Sequence, residues 1–411
     1  TEHDVDLIHE CIVKMAKEIS EFMSITSDKQ RMDSLMVAAN IRNLSLLELF
    51  YTCVANLCKI MDKRGTKIPD EQHHYVEKDD YNKCIYHKRG MDATERTIVV
   101  MKDADVLIKI CDLTGDFDDT SEYQLLIRLL KERTIIDGDG SRRLRKKEEV
   151  ENSSEVLLNP SDPEATFRYK AGSKHLGYVG NIVESVGENS SLIIDYAYQQ
   201  NTYTDNQFMK DYLDGKKDFP DGAFIVADGA YSGEENSHLA SKHNLKLITT
   251  NFTGRKPDEI YAEFIFTEDG RYLLKCKNGC IPDECKYDPH NDCSYAYFKR
   301  CDCENCPYQK RCNPRFTKTR ARKEVSWKSV GRAKQLQYMK TEEFSKYAKF
   351  RNGVEAIPSL LRRRYHVDKI PVHGKNRTRL FFGFKIAALD FQKLLDYSNS
   401  LAKYASNKKT A

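Results

Sequence analysis

The sequence predicts an α/β protein whose core carries two insertions, and three observations underlie that expectation. The first is the run Ala223-Phe-Ile-Val-Ala-Asp-Gly-Ala-Tyr-Ser-Gly233, five apolar residues ending in an Asp and a glycine-bearing turn. Such a run reads as a buried strand with a carboxylate at its carboxyl end, the edge where open α/β sheets place their ligands. The second is the alternation of strand and helix signals across residues 161–263. The third is a dense Cys-rich segment: eight of the thirteen Cys lie within 37 residues, from Cys276 to Cys312.

Taken in order, Val5, Ile8, Ile12, Met15, Ile19 and Phe22 recur at helical spacing. After a polar break, Met32 to Ala39 is short enough for a first strand or for a strand merging into a helix. Asn43 or Ser45 caps a helix running to about Arg64, with Leu46, Leu49, Phe50, Cys53, Val54 and Leu57 on one face. Residues 66–150 are polar and mostly helical in pattern, with Val99–Cys111 and Tyr123–Leu130 as their apolar parts. His73-His74 reads there as a polar loop pair, and Arg142 to Ser154 as an exposed linker or helix tip.

The texture changes near Asn159-Pro-Ser-Asp-Pro163. Tyr178–Glu184 and Ser191–Tyr198 read as a hairpin, followed by a helix over Asp205–Tyr212 and the strand ending at Asp228. A helix, Glu234–His243, and a strand, Lys246–Thr250, come next. Hairpin, helix, strand, helix, strand is the order of the ribonuclease-H-like fold. The expected architecture is therefore a ribonuclease-H-like core with a helical insertion after the first strand and a Cys-rich zinc-binding insertion before a later helix. That later helix spans roughly Thr341 to Arg364, and an amphipathic helix from Leu380 to about Leu401 closes the chain. Phe381, Phe384, Ala388, Phe391 and Leu395 read as its core face. The expected division is 1–65, a helical start and first strand; 66–160, the helical insertion; 161–263, the core; 264–325, the Cys-rich insertion with a basic end; and 326–411, the last two helices.

With 31% charged and 10% aromatic residues over 411 positions, the chain reads as folded and soluble. It has no apolar run of about 18 residues, so no membrane span is expected. Thr1 begins without a Met or a secretory pattern, from which a truncated amino terminus and a cytoplasmic location are expected. Thirteen Cys then read as free thiols or metal ligands, not as a disulfide framework. The net charge of +4 hides an asymmetry. Lys299 to Arg379 holds 23 Lys/Arg against 7 Asp/Glu, whereas the rest holds 43 against 55. Interleaved with Tyr308, Phe316, Trp327 and Tyr338, such a block suits a polyanion such as double-stranded DNA. Nothing matches a Walker A loop.

Arg351, Glu355 and Arg362 are spaced by four and seven, which puts a carboxylate and two guanidiniums on one helix face. The carboxylate suits a magnesium ion and the arginines suit phosphates. The alternative is a surface helix with an internal Arg–Glu pair. This helix resembles the carboxyl-terminal signature of bacterial insertion-sequence DDE transposases, Tyr-x2-Arg-x3-Glu-x6-Lys/Arg. Arg351, Glu355 and Arg362 match its spacing, while Tyr347 lies one residue too far upstream. Val226-Ala-Asp-Gly-Ala-Tyr231 is similar to the family's second-Asp motif, and Arg31-Met-Asp-Ser-Leu-Met-Val-Ala-Ala39 to its first.

The resemblance implies a catalytic triad of Asp33, Asp228 and Glu355 holding Mg²⁺ or Mn²⁺, with Tyr347, Arg351 and Arg362 contacting DNA. Asp162 competes with Asp33 for the first position. Asp33 is preferred because an Asp held between prolines cannot sit in a central strand. Two ions roughly 3.5–4 Å apart would activate water and stabilise the leaving 3′ oxygen, and in that family the freed 3′-OH then joins target DNA. Such enzymes work as homodimers on paired transposon ends.

Cys276-x3-Cys280 and Cys303-x2-Cys306-x5-Cys312 have spacings that let thiolates converge on one Zn²⁺, with His290 as a further candidate. Cys285 and Cys293 are candidates for bystanders. Two other functions fit the same motifs: a zinc-dependent DNA-binding protein that has lost catalysis, and a stand-alone ribonuclease-H-like nuclease that cuts without joining.

Overall fold

The computed structural model describes residues 6–86, 91–170, 172–215 and 219–409. Val5, expected in the first helix, lies outside them. Helix α1 (Leu7–Phe22) is capped by the Asp6 carboxylate, which accepts from the His9 N–H. Strand β1 (Lys29–Ala38) follows. Helix α2 (Leu46–Lys63) starts in a reciprocal cap: the Ser45 hydroxyl accepts from the Glu48 N–H and the Glu48 carboxylate from the Ser45 N–H. A 3₁₀ turn (Asp70–Val76) then leads to α3 (Asp80–Ile85), α4 (Met91–Thr114), α5 (Ser121–Arg133) and the small hairpin β2 (Thr134–Ile136) and β3 (Arg142–Leu144).

Further on come β4 (Thr166–Lys170), β5 (Ser173–Val186), β6 (Ser191–Gln200), α6 (Asp205–Asp214), β7 (Phe224–Ala227), α7 (Glu234–Lys242) and β8 (Lys246–Thr249). The segment after β8 holds β9 (Ile265–Phe266), β10 (Leu273–Lys275), β11 (Glu284–Asp288), β12 (Cys293–Lys299), α8 (Arg300–Glu304), α9 (Gln309–Cys312), β13 (Arg315–Phe316) and β14 (Arg320–Val325). Four helices end the chain: α10 (Trp327–Tyr338), α11 (Glu342–Asn352), α12 (Ala356–Arg363) and α13 (Lys375–Lys409). The result is a mixed α/β protein, and the strands and helices expected around Asp228 form where the sequence pattern puts them. No described helix is long and apolar enough to cross a membrane.

The chain divides into two compact units, one of residues 1–26, 33–208 and 357–411, the other of residues 27–32 and 209–356. In the first, β5 pairs antiparallel with β4 through its first five residues and with β6 through the rest, from Tyr178↔Gln200 to Val186↔Ser191. β1 lies beside β5. Gly177 makes that approach possible: its φ of 137° is closed to most L-residues, and a Cβ there would sit 2.4 Å from Val37 O and Ala39 N. Leu35 and Val37 of β1, Tyr178 and Ile182 of β5, Tyr196 of β6 and Phe382 and Ile386 of α13 share one core. A second core within this unit is helical, built from Phe50, Leu57 and Met61 of α2, Met101 and Leu107 of α4, and Leu126 and Leu129 of α5.

The other unit holds β7 between two parallel neighbours. Lys29, Gln30 and Arg31 of β1 register with Phe224, Ile225 and Val226, and β8 pairs with β7 from Phe224↔Lys246 to Ala227↔Thr249. Beyond β8, an antiparallel sheet of order β11-β12-β14-β13 packs Ala296, Phe298 and Val325 against Phe264 and Phe266.

Three expectations are corrected. Arg142 to Ser154, expected as an exposed linker or helix tip, is exposed in part but opens with strand β3: Arg142 donates to the Asp105 carboxylate at 2.7 and 3.0 Å, and Arg143 bridges Asp137 and Glu149. The Asp105 partner of Arg142 lies 37 residues away, which composition does not reveal. The buried face of α13 carries Phe382, Ile386 and Leu389, whereas Phe384 and Leu395 are 56% and 57% exposed. Apolar residues nearly encircle that helix, so 3.6-residue spacing could not choose the face. Finally, the expected helix from Thr341 to Arg364 is interrupted by a 3₁₀ turn, Gly353–Glu355.

Candidate active site and cysteine cluster

Asp228 stands directly after β7, as its sequence run implies, and opens the tight turn Gly229–Tyr231. Its Oδ1 accepts from the Gly229 N–H at 2.5 Å and from Asn251 Nδ2 at 2.7 Å. Both bonds fall on Oδ1, which leaves Oδ2 as the oxygen to offer a cation. Gly229 is dictated by this packing: a Cβ there would lie 2.3 Å from the Asn251 carbonyl oxygen. Asn251, two residues past β8, is a site residue that the sequence reading passed over. Its place at the same strand edge as Asp228 was the available signal.

Glu355 closes the 3₁₀ turn after α11. It is exposed and accepts from Arg351 Nη1 at 2.9 Å, the internal Arg–Glu pair of the alternative reading. What aims this segment is Arg31. Its guanidinium donates to the Phe350 carbonyl at 2.9 Å, lies 5.0 Å from the Phe350 ring centroid, and occupies the space a side chain at Gly353 would need. Because Arg31 registers with Val226, it ties the end of α11 to a level two residues short of Asp228. The middle and end of α11 pack on β7, with the Tyr347 and Phe350 rings edge-on against Phe224 at 4.9 and 5.4 Å. Arg31 and Gly353 could not be found from sequence, since their roles depend on a contact across more than 300 residues.

Tyr347 is half-buried between Phe224 and the Lys246 ammonium, so most of its ring is committed to packing. Arg362 is exposed on α12. Asp33 is half-buried on β1 and its Oδ1 accepts from the Ser34 N–H at 2.8 Å. Its competitor Asp162 is fully buried, and Tyr178 donates to its Oδ1 at 2.5 Å. Near the Asp228 turn a groove is lined by Ser232, Glu234, Trp327, Lys328, Arg332 and Lys334.

The five Cys singled out by spacing, Cys276, Cys280, Cys303, Cys306 and Cys312, line one cavity of about 30 Å³. That is room for a single ion or water, not for an organic ligand. Gly279, at φ 84°, turns the knuckle in which the Cys276 N–H donates to the Cys280 carbonyl. Burial, reinforced by the neighbouring thiols, pushes Cys303 up to about 12; burial also pushes Cys312 up to about 11. A cation reverses that cost, because it stabilises thiolates that otherwise repel one another. No three of these sulfurs come within 4.8 Å of one another among the described residues, so ligation requires them to draw inward. His290 lies outside the cavity, on an exposed turn bonded to Asp288. Cys285 packs beneath the lobe and accepts from the Leu273 N–H, and Cys293 is buried in β12.

Residues 276–395 match the family model for the transposase DDE domain. The match takes in the Cys cavity, Glu355 and most of the closing helices, and it supports kinship with the DDE transposases. That family consists of metal-dependent enzymes that cut and transfer DNA. No curated protein and no solved structure matches the chain.

Proposed function

We propose that the chain is a DDE transposase, with a ribonuclease-H-like core, that cleaves phosphodiesters at transposon ends and joins the 3′-OH to target DNA. The observation that carries this reading is Asp228 at the carboxyl end of β7, together with the tie from Arg31 to Phe350, which anchors the end of α11 just ahead of Glu355. Asp33 is the proposed third carboxylate. It is proposed on the likeness of Arg31–Ala39 to the first-Asp motif of the family. Asp162, fully buried beneath the Tyr178 hydroxyl, is poorly suited to the role.

Asp33, Asp228 and Glu355 offer hard carboxylate oxygens, the donor type that Mg²⁺ or Mn²⁺ takes. Such ions supply Lewis-acid activation of water and of the leaving 3′ oxygen. Asn251 and the Gly229 N–H hold the Asp228 carboxylate in one orientation. Arg351 steadies Glu355. Arg362 and the groove bearing Lys328, Arg332 and Lys334 bind duplex DNA, and Trp327 lends it an aromatic wall. Zn²⁺ in the Cys cavity braces this lobe without taking part in catalysis. The exposed apolar stripe Leu380, Phe384, Phe391 and Leu395 on α13 suits a second copy of the chain, in keeping with a dimer on paired ends.

The test is an excision and strand-transfer assay on the element's own end DNA. Asp228→Asn and Glu355→Gln should abolish both reactions while DNA binding stays within a few-fold. Retained cleavage in either variant overturns the assignment. Cleavage without joining in the unmodified chain would instead identify a nuclease.

A further inference from the structure

Within the helical part of the first unit, His74 is no free loop residue. It lies in the last turn of the 3₁₀ segment Asp70–Val76, and its Nδ1 lies 2.9 Å from Asp80 Oδ2. Asp80 and Cys84 sit four residues apart on one face of α3, with the Cys84 sulfur 3.6 and 3.7 Å from the two Asp80 oxygens. Among the described residues this is the one trio of His, Cys, Asp or Glu whose ligand atoms all lie within 4.8 Å of one another.

We propose that His74, Asp80 and Cys84 bind one Zn²⁺, with water as the fourth ligand. One nitrogen, one oxygen and one sulfur make the mixed, borderline-soft donor set that zinc accepts. Bonds of about 2.0–2.3 Å in a tetrahedron imply ligand–ligand edges of about 3.3–3.8 Å. The sulfur–oxygen spacings already fall there, and the nitrogen–oxygen spacing need open by only about half an ångström.

Ligating carboxylates are usually held by an outer hydrogen bond. Here Tyr51 of α2 donates to Asp80 Oδ2 at 2.5 Å, and Asp80 is only 5% exposed. The His74 side chain is 36% exposed, which leaves an entry path and space for the water. The Tyr75 ring, 4.1 Å from the imidazole, fixes its plane. Binding releases the Cys84 thiol proton and moves the imidazole proton to Nε2; nothing is oxidised or reduced. The ion would staple the Asp70–Val76 turn and α3 onto α2, a structural role independent of the transposase reading.

The experiment is elemental zinc analysis of the purified full chain, with Cys303→Ser/Cys306→Ser as the background that removes the other cysteine cavity. His74→Ala and Cys84→Ala should each lower the zinc content by one ion per chain in that background. Cys84→Asp, which restores a ligand, should keep it. Unchanged zinc in both alanine variants, with wild-type circular dichroism, overturns the proposal. Should the alanine variants fail to fold, Co²⁺ loading of the folded background decides. A single-thiolate charge-transfer band that vanishes in Cys84→Asp while the d–d bands persist supports the site. No Co²⁺ spectrum in the background overturns it.

Discussion

Replacing Gly229 with Ala should damage both stability and cleavage, and the structure sets the scale. The new Cβ would lie 2.3 Å from the Asn251 carbonyl oxygen and 2.8 Å from Thr253 Cγ2, where about 3.4 Å is ordinary contact. The first neighbour is backbone, so the 251–253 segment must retreat by about an ångström. Overpacking of this kind costs about 1–3 kcal/mol. That retreat pulls Asn251 Nδ2 from Asp228 Oδ1, now 2.7 Å apart, and frees the carboxylate to rotate. In a unit of this size the stability loss lowers Tm by roughly 2–12 °C. Misplacing a catalytic group by an ångström costs about 100-fold in rate. Thermal unfolding and end cleavage, measured on the same preparation, check both figures. A Gly229→Ala protein with unchanged Tm and full cleavage would refute the packing argument and the part assigned to Asn251.

Arg31→Ala removes a guanidinium–carbonyl bond and a contact over the Phe350 ring, together about 1–3 kcal/mol, and should depress cleavage far more than DNA binding in a gel-shift titration. Asp390 is buried beside Ile193, and desolvation pushes its carboxyl up to about 7, above the unfolded value, with the Ile193 N–H and Lys393 opposing. Its stabilising contribution is therefore full below about pH 4, is lost as pH rises toward 7 and stays lost above. Asp390→Asn should raise stability at pH 8 by up to roughly 4 kcal/mol relative to its effect at pH 4, read by urea unfolding at the two values. Chelator at neutral pH should expose Cys276, Cys280, Cys303, Cys306 and Cys312 to a thiol reagent, whereas zinc-loaded protein protects them; equal labelling rates contradict a metal in that cavity.

Much of this fold was legible because its signals are local. The apolar run before Asp228 made a strand, Ser45 and Glu48 capped α2, and the spacing of five Cys singled out those that line one cavity. What failed depended on distant partners. Arg142 looks solvated until Asp105, 37 residues away, is found beside it. The stripe Phe384–Leu395 looks like core until Phe382 and Ile386 claim that place. At the site, sequence offered the three carboxylates but not Arg31, Gly353 or Asn251, whose value lies wholly in tertiary contact. His74 was passed over because its partners, Asp80 and Cys84, meet it only when the turn folds back on α3.

The most direct test of the carboxylate triad is a manganese soak of crystals of the full chain, read by anomalous scattering. The account predicts manganese held by Asp228 and Glu355 together with Asp33, and its loss in Asp228→Asn crystals. Manganese bound elsewhere, with those three carboxylates contributing no ligand even in crystals grown with end DNA, would contradict it.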